Sequence, residues 1–403
     1  MPLSYEDARE LDAADPLAGF RGQFAIGDDP VAYLDGNSLG RPPRSTILRL
    51  RQVVEQQWAT GLIREWSEGW AELPIRVGDL LGATVLGAAP GQTVVADSTS
   101  VNLFKLLHAA AGLRADRSEM VVADADFPTD RYLVDAVAAG RGLTVRRLPP
   151  HPRGGVALAD LGDLLSDSTA VVVLSQVDYR SGYLADLTSI TAAVHAAGAV
   201  VVWDLCHSAG VVPISLDVHG ADFAVGCTYK YLNAGPGAPA YLYVAQRHLD
   251  AVEQPVPGWF GAADVFAMAG GHIPAADARQ MLSGTPNVLG IVAVEEGLKL
   301  IQQAGVDSIR AKGVGLTEMV VRLVDDWLVP LGATLVSPRD ASVRGSHVTV
   351  AVPRAREVTD ALIERGIVPD FRNPDMIRLG LSPLTTSYCE AWTGLDALRE
   401  LLG

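Results

Sequence analysis

Cysteine is scarce in this chain: there are three in 403 residues, Cys206, Cys227 and Cys389, and no CxxC spacing. A disulfide framework and a cysteine-built zinc site are therefore excluded, and no metal centre is expected. Basic residues are in deficit, 32 Lys and Arg against 47 Asp and Glu, for a formal net charge of -15. A field of that sign repels phosphates over most of the surface, which argues against nucleic acid or an anionic membrane as main partner but leaves room for a local basic pocket. No long uncharged run is present either. A low-charge stretch around Ala192 to Trp203 holds His195 and is too short and Ala-rich to span a bilayer. The amino-terminal segment carries Glu6, Asp7, Glu10, Asp12 and Asp15 and lacks the apolar core of a signal peptide, so a cytoplasmic location is expected. No solenoid period and no low-complexity segment appears.

What is there is ordinary globular composition, 49% hydrophobic and 20% charged, over a length that suits two domains. Apolar positions fall at helical spacing from Ile47 to Trp58. Asp97-Ser98-Thr99-Ser100 reads as a helix start before Val101 to Ala111. β-Branched runs at Met120–Ala123, Leu143–Val145, Ala170–Leu174, Ala199–Trp203, Phe223–Gly226 and Ala240–Val244 then alternate with Ala/Leu-rich helical runs. Such alternation means parallel crossovers, hence an α/β sheet covered on both faces. After Leu298 the pattern changes. A long helix runs towards Trp327, then come strands at Thr334–Val336, His347–Val352 and Met376–Leu381 with a helix near Glu357–Arg365. We expect a large α/β domain over 46–300 and a small α+β domain over 301–403, with the polar leader 1–45 packed on the latter.

Buried strands usually end in bland turn residues, yet Val200–Trp203 delivers Asp204 and His207 to its carboxyl end, and Phe223–Gly226 leads into Tyr229-Lys230-Tyr231. Ionisable groups at successive strand ends point to a crevice site at the sheet's carboxyl edge. Lys230 on its loop is either simply solvated or, if partly buried among the tyrosines, expected to lose its proton readily and become nucleophilic. A carboxylate after four apolar residues must cap a helix, pair with a cation or serve a ligand. Together they suit pyridoxal phosphate, whose ring nitrogen a carboxylate keeps protonated. His207 either orients Asp204, touches the cofactor or is a satisfied core histidine. The Thr99-Ser100 helix start offers donors and hydroxyls for a phosphate, or is simply a cap. Phe127, in Asp126-Phe127-Pro128-Thr129-Asp130, could lie over a planar ring or pack within a loop. Arg378, in the apolar run Met376–Leu381, suits a carboxylate of an amino-acid substrate, or sits at an exposed edge.

Taken together these segments resemble the kynureninases. The resemblance runs from Tyr33-Leu34-Asp35-Gly36-Asn37-Ser38-Leu39-Gly40 through Tyr229-Lys230-Tyr231-Leu232-Asn233-Ala234-Gly235, Gly258-Trp259-Phe260-Gly261 and Ser283-Gly284-Thr285-Pro286 to Arg378. It implies a fold-type-I pyridoxal 5′-phosphate enzyme with a large, mostly parallel seven-stranded sheet sandwiched by helices, and a smaller α+β domain. Lys230 corresponds to the cofactor's covalent tether and to the catalytic base, and Asp204 to the partner of the ring nitrogen. Phe127 matches the ring-stacking aromatic, with Asp130 beside it. Thr99, Ser100, Tyr229 and Trp259 match phosphate contacts, and Ser175 and His207 match further cofactor contacts. Thr285 stands where some relatives have Asn. Arg378 matches the receptor of the substrate's α-carboxylate, and Tyr229 is also a candidate proton carrier.

The reaction so implied is hydrolysis of L-kynurenine to anthranilate and L-alanine in tryptophan degradation, with 3-hydroxy-L-kynurenine a poorer substrate. Trp66, Trp70 and Gly284 look like the bacterial form of the family, which favours the unhydroxylated substrate, although aromatics at that spacing also suit core packing. The family's homodimers have sites between subunits, so Trp259 and Thr285 would serve the neighbouring chain. Two rivals remain. A cysteine desulfurase or selenocysteine lyase shares the Asp, His and Lys framework but needs a cysteine on a mobile loop, and Cys389 has no glycine-rich lid. A cofactor-binding regulator would carry a DNA-binding segment or a broken lysine motif, and neither is present.

Overall fold

A computed structural model of the chain describes residues 3–28, 30–151, 154–268 and 270–403. Strand β1 (Ala32–Tyr33) lies in the leader. The main sheet contains β2 (Thr93–Val95), β3 (Glu119–Ala123), β4 (Thr144–Leu148), β5 (Thr169–Ser175), β6 (Val200–Asp204), β7 (Phe223–Gly226) and β8 (Tyr241–Val244), in the order β2-β8-β7-β6-β5-β3-β4. From β4 across to β7 every pair is parallel, whereas β8 runs antiparallel to β7 and β2.

The near-continuous apolar runs follow from burial on both faces. Val172, Leu174, Val201 and Trp203 join one core, and Val171, Val173, Val200 and Val202 join the other, as the two-residue strand period requires. Helices Leu73–Leu81, Leu187–Ala196 and Val288–Ala304 cover the first face, and Thr99–Gly112 with Pro128–Arg141 cover the second. Trp203 is fully buried and donates its indole N–H to Thr191 Oγ1 at 3.1 Å, so its one polar atom is satisfied.

In the second domain, β9 (Thr334–Leu335), β10 (His347–Ala351), β12 (Asp370–Arg372) and β13 (Met376–Gly380) form an antiparallel sheet ordered β12-β13-β10-β9, while β11 (Ile367–Val368) pairs with β1. Helices Val306–Leu323, Ala355–Glu364 and Tyr388–Leu402 bury their apolar faces in a third core.

Two boundaries differ from expectation. The single helix expected beyond Leu298 is two helices, because Gly305 adopts a left-handed φ of 77° and ends the first at Ala304. The leader does not pack with the small domain alone. Ala8, Ala32 and Leu34 enter its core, but Leu17 and Phe24 are buried in the large domain's core, so the leader straps the two together.

Candidate active site

The carboxyl edge of the sheet carries the chemistry. Ser175 and Asp204 are register partners at the ends of β5 and β6, and Cys227-Thr228-Tyr229-Lys230 follows β7. The turn that presents Lys230 is tightly held. Thr228 Oγ1 donates to the Pro239 carbonyl at 2.6 Å, the Asn233 N–H donates to the Lys230 carbonyl at 3.0 Å, and Asn233 takes a left-handed φ of 58°. The Gly40 N–H donates to the Tyr229 carbonyl at 2.8 Å, which brings the Asn-Ser-Leu-Gly segment against this turn.

A cavity of about 100 Å³ forms there, lined by Thr99, Ser100, Phe127, Thr129, Asp130, Ser175, Tyr179, Asp204, Cys206, His207, Tyr229 and Lys230. Nine of the expected residues thus meet in one hollow. Lys230 Nζ lies 3.3 Å from His207 Nε2. Asp204 follows its strand into a turn, not a helix, and one carboxylate oxygen accepts the Cys206 N–H at 2.7 Å. Thr99 opens a helix of 14 residues whose cap Ser98 accepts the Val101 N–H at 3.4 Å. The other first-turn N–H groups of such a helix have no partner within it and favour an anion. Asp97 would oppose one, but Lys105, fully buried, pairs with it at 2.7 Å. Phe127 precedes helix Pro128–Arg141, is 41% exposed, and meets Tyr179 edge-on at 5.4 Å.

Electrostatically the hollow is crowded with acids. Burial, followed by the charges of Asp204 and Asp126, pushes the Asp130 carboxyl well above the usual range. Burial pushes Asp126 up to about 7, against hydrogen bonding from Ser175. Both leave one buried carboxyl oxygen without a partner. His207 is held well below the ordinary histidine value by burial and then by Lys230 and Arg378, and Tyr229 is pushed up to about 12 by burial and then by Cys227. Lys230 departs from expectation. Burial disfavours its charged form, but Cys227, Cys206, Tyr229 and Asp204 outweigh burial and raise its pKa.

Arg378 also differs. It is buried, not at an exposed edge, yet it does not line the hollow. Its guanidinium is pinned by Asp370 at 2.6 Å, the Ser38 hydroxyl at 2.8 Å and the Tyr179 carbonyl at 2.6 Å. With the Asn37 amide turned, its oxygen accepts from Arg378 Nε at 2.9 Å. Sequence reasoning missed Asp370 and singled out Asn37 and Ser38 only as part of a motif. It also missed His347, buried with neither ring nitrogen hydrogen-bonded among the described residues and 5.8 Å from the His207 ring. An apolar strand opening on a histidine was the available signal.

The remaining expected residues gather elsewhere. Trp66 meets Trp70 at 5.4 Å and Phe260 at 5.6 Å, and Phe260 meets Trp259 at 4.5 Å. The Phe260 N–H donates to the Ser283 carbonyl, next to exposed Gly284 and Thr285. None of these five lines the Lys230 hollow within one chain, and Trp259 instead borders a cavity of about 410 Å³ against residues 262–268 and 270–273. No helix among the described residues is long and apolar enough to cross a membrane, and no group of three potential metal ligands occurs among them.

Solved structures share this fold across nearly the whole chain. The cystine C-S lyase C-DES, complexed with its product cysteine persulfide, superposes with a TM-score of 0.80 at 19% identity, covering 93% of this chain and 97% of that one. The apo cysteine desulfurase from Thermococcus onnurineus gives 0.80 at 18% identity, covering 100% and 99%. The fold class is therefore the expected one. A family model described as the kynureninase C-terminal domain matches residues 309–398. Kynureninase from Pseudomonas fluorescens is 42% identical over 98% of this chain and 95% of its own, and that from Burkholderia pseudomallei is 43% identical over the same shares. With identity of that order spanning both domains, the chain belongs to the kynureninase family.

Proposed function

We propose that the chain hydrolyses L-kynurenine to anthranilate and L-alanine, using pyridoxal 5′-phosphate held in the Lys230 hollow. The observation that carries this reading is the convergence of Lys230, Asp204 and the Thr99 helix start on one cavity, in a chain 42% identical to a kynureninase over 98% of its length. The residues present fit the cofactor: an amine to tether it, a carboxylate for its ring nitrogen, a helix start and hydroxyls for its phosphate, and an unpartnered Asp130 oxygen seeking a donor. When bound, the cofactor supplies an electron sink for carbanions next to the substrate's amine-bearing carbon.

The chain's own residues do the rest. Lys230, once freed by substrate, takes the Cα proton and returns it later, and His207 beside it, held neutral by burial, adds no competing positive charge. Asp204 would pair with the ring nitrogen. Phe127, Ser175 and Asp130, which line the same hollow, would hold the cofactor's ring. Tyr229, with its hydroxyl proton firmly held, donates to the phosphate or to the departing carbon. Arg378, already oriented by Asp370 and Ser38, receives the α-carboxylate once it exchanges one of these partners.

The chain acts as a cytoplasmic homodimer in this reading, with Trp259 and Thr285 reaching the partner's phosphate site and Trp66, Trp70 and Gly284 shaping a wall that favours the unhydroxylated substrate. A desulfurase reading is weaker. Cys389 opens a helix of the small domain and its thiol is pushed up to about 11 by burial and Asp12, the reverse of an activated nucleophile. Anthranilate formation from L-kynurenine in wild type and Lys230→Ala tests the activity. Wild type is expected to be active and the variant inactive, and a wild type silent with added cofactor refutes it. Faster turnover of 3-hydroxy-L-kynurenine would overturn the preference alone.

A further inference from the structure

The Lys230 hollow shares two of its lining side chains, Phe127 and Tyr179, with a second hollow of about 480 Å³ whose other walls include Arg180, Arg356, Arg372 and Phe371. In a chain of net charge -15, three guanidinium groups around one hollow concentrate the opposite sign. Arg372 is paired with Asp370 at 2.8 Å and lies 5.8 Å from the Tyr179 ring. Arg356 sits 4.0 Å over the Phe371 ring, and among the described residues no carboxylate pairs with it. Arg180 donates to the Asn373 carbonyl at 2.9 Å and likewise has no acidic partner among them. Two guanidinium charges are thus uncompensated beside three aromatic rings.

Guanidinium forks bind carboxylates bidentately and lie flat on planar rings, so a ligand combining an aromatic ring with a carboxylate matches both kinds of wall. The volume falls within the range of small-molecule sites. We propose that this hollow is a binding site for small aromatic carboxylates, occupied by the reaction's product as it leaves. The identity of that product, anthranilate, rests on the kynurenine reading; the ligand class does not. A carboxylate held there lies beside the Lys230 hollow, across the shared Phe127 and Tyr179, so the product is expected to compete with incoming substrate.

The test is calorimetric titration of the cofactor-loaded chain with anthranilate, and with aniline as the ring without the carboxylate. It compares wild type, Arg356→Lys and the double variant Arg180→Ala with Arg356→Ala. The expected result is measurable anthranilate binding to wild type, weakened on the order of tenfold in the double variant and less in Arg356→Lys, with no binding of aniline. In initial-rate assays the double variant keeps its kcat on L-kynurenine and its product-inhibition constant rises by the same factor. Equal anthranilate affinity in wild type and a double variant with unchanged thermal melting overturns the proposal. So does aniline binding as tightly as anthranilate. A lower kcat/KM with unchanged anthranilate affinity also overturns it, by assigning the guanidinium groups to the incoming substrate. The titration needs no turnover, so even a chain that failed to cleave L-kynurenine would bind anthranilate in this hollow or leave it empty.

Discussion

Asp126, fully enclosed beside the residues that line the Lys230 hollow, carries the cost of a buried carboxyl. Its carboxyl titrates near 7 in the fold, against an ordinary carboxylate value of about 4 in the unfolded chain. The folded state therefore binds the proton more tightly. The stability this contributes is complete below the unfolded value and is lost as pH rises through 7, amounting to about 4 kcal/mol at most. We expect the melting temperature of the cofactor-free chain to fall between pH 5 and pH 8 and Asp126→Asn to flatten part of that fall, since Asn keeps the acceptor for the Ser175 N–H. A wild-type melting curve flat over that interval would count against the assignment. Arg378→Lys keeps the charge but loses the fork, and kcat/KM for L-kynurenine is expected to drop about 10- to 100-fold in steady-state kinetics. Lys230, Asp204 and His207 were legible because charged groups stand out after apolar strands. The partners of Arg378 were not. Ser38 lies 340 residues away in the chain, and no local pattern announces such a contact.

Among the elements, the Asn-Ser-Leu-Gly segment has a mechanical reading. A Cβ at Gly40 would run into the Lys230 carbonyl and Asn233, and one at Gly297, on helix Val288–Ala304, into the Leu232 carbonyl. Both glycines let backbone press on the turn that carries Lys230. Gly40→Ala and Gly297→Ala are each expected to cost about 1–3 kcal/mol in urea unfolding and to lower turnover by moving that turn. Unchanged stability with unchanged kcat would contradict the close approach. The strands of the main sheet could be read from their β-branched runs, because burial on both faces leaves little else for such runs to do. The reversal of β8 could not, since an apolar run looks the same in either direction. The break at Gly305 was hidden because the apolar period continues on both sides of it.

For the whole molecule, the expected site residues other than Arg378 fall into two groups, one around Lys230 and one around Phe260, and a homodimer that set the second group of one chain against the first of its partner would reunite them. Mixing Lys230→Ala with Trp259→Ala is then expected to recover part of the wild-type turnover that each variant lacks, because a mixed dimer holds one intact site. No recovery, with subunit exchange verified, would place both groups' work within a single chain. The separate antiparallel sheet of the carboxyl-terminal part was legible from the change of strand and helix scale after Leu298, whereas the leader's double allegiance depended on Leu17 and Phe24 finding the large core. The central claim, that water cleaves a carbon–carbon bond at Lys230's site, is tested most directly by turnover of L-kynurenine in ¹⁸O-labelled water with added pyridoxal 5′-phosphate. The prediction is equimolar anthranilate and L-alanine, with solvent oxygen in the anthranilate carboxylate and no product from Lys230→Ala. Absence of anthranilate from wild type, or its formation at an undiminished rate by Lys230→Ala, would contradict it.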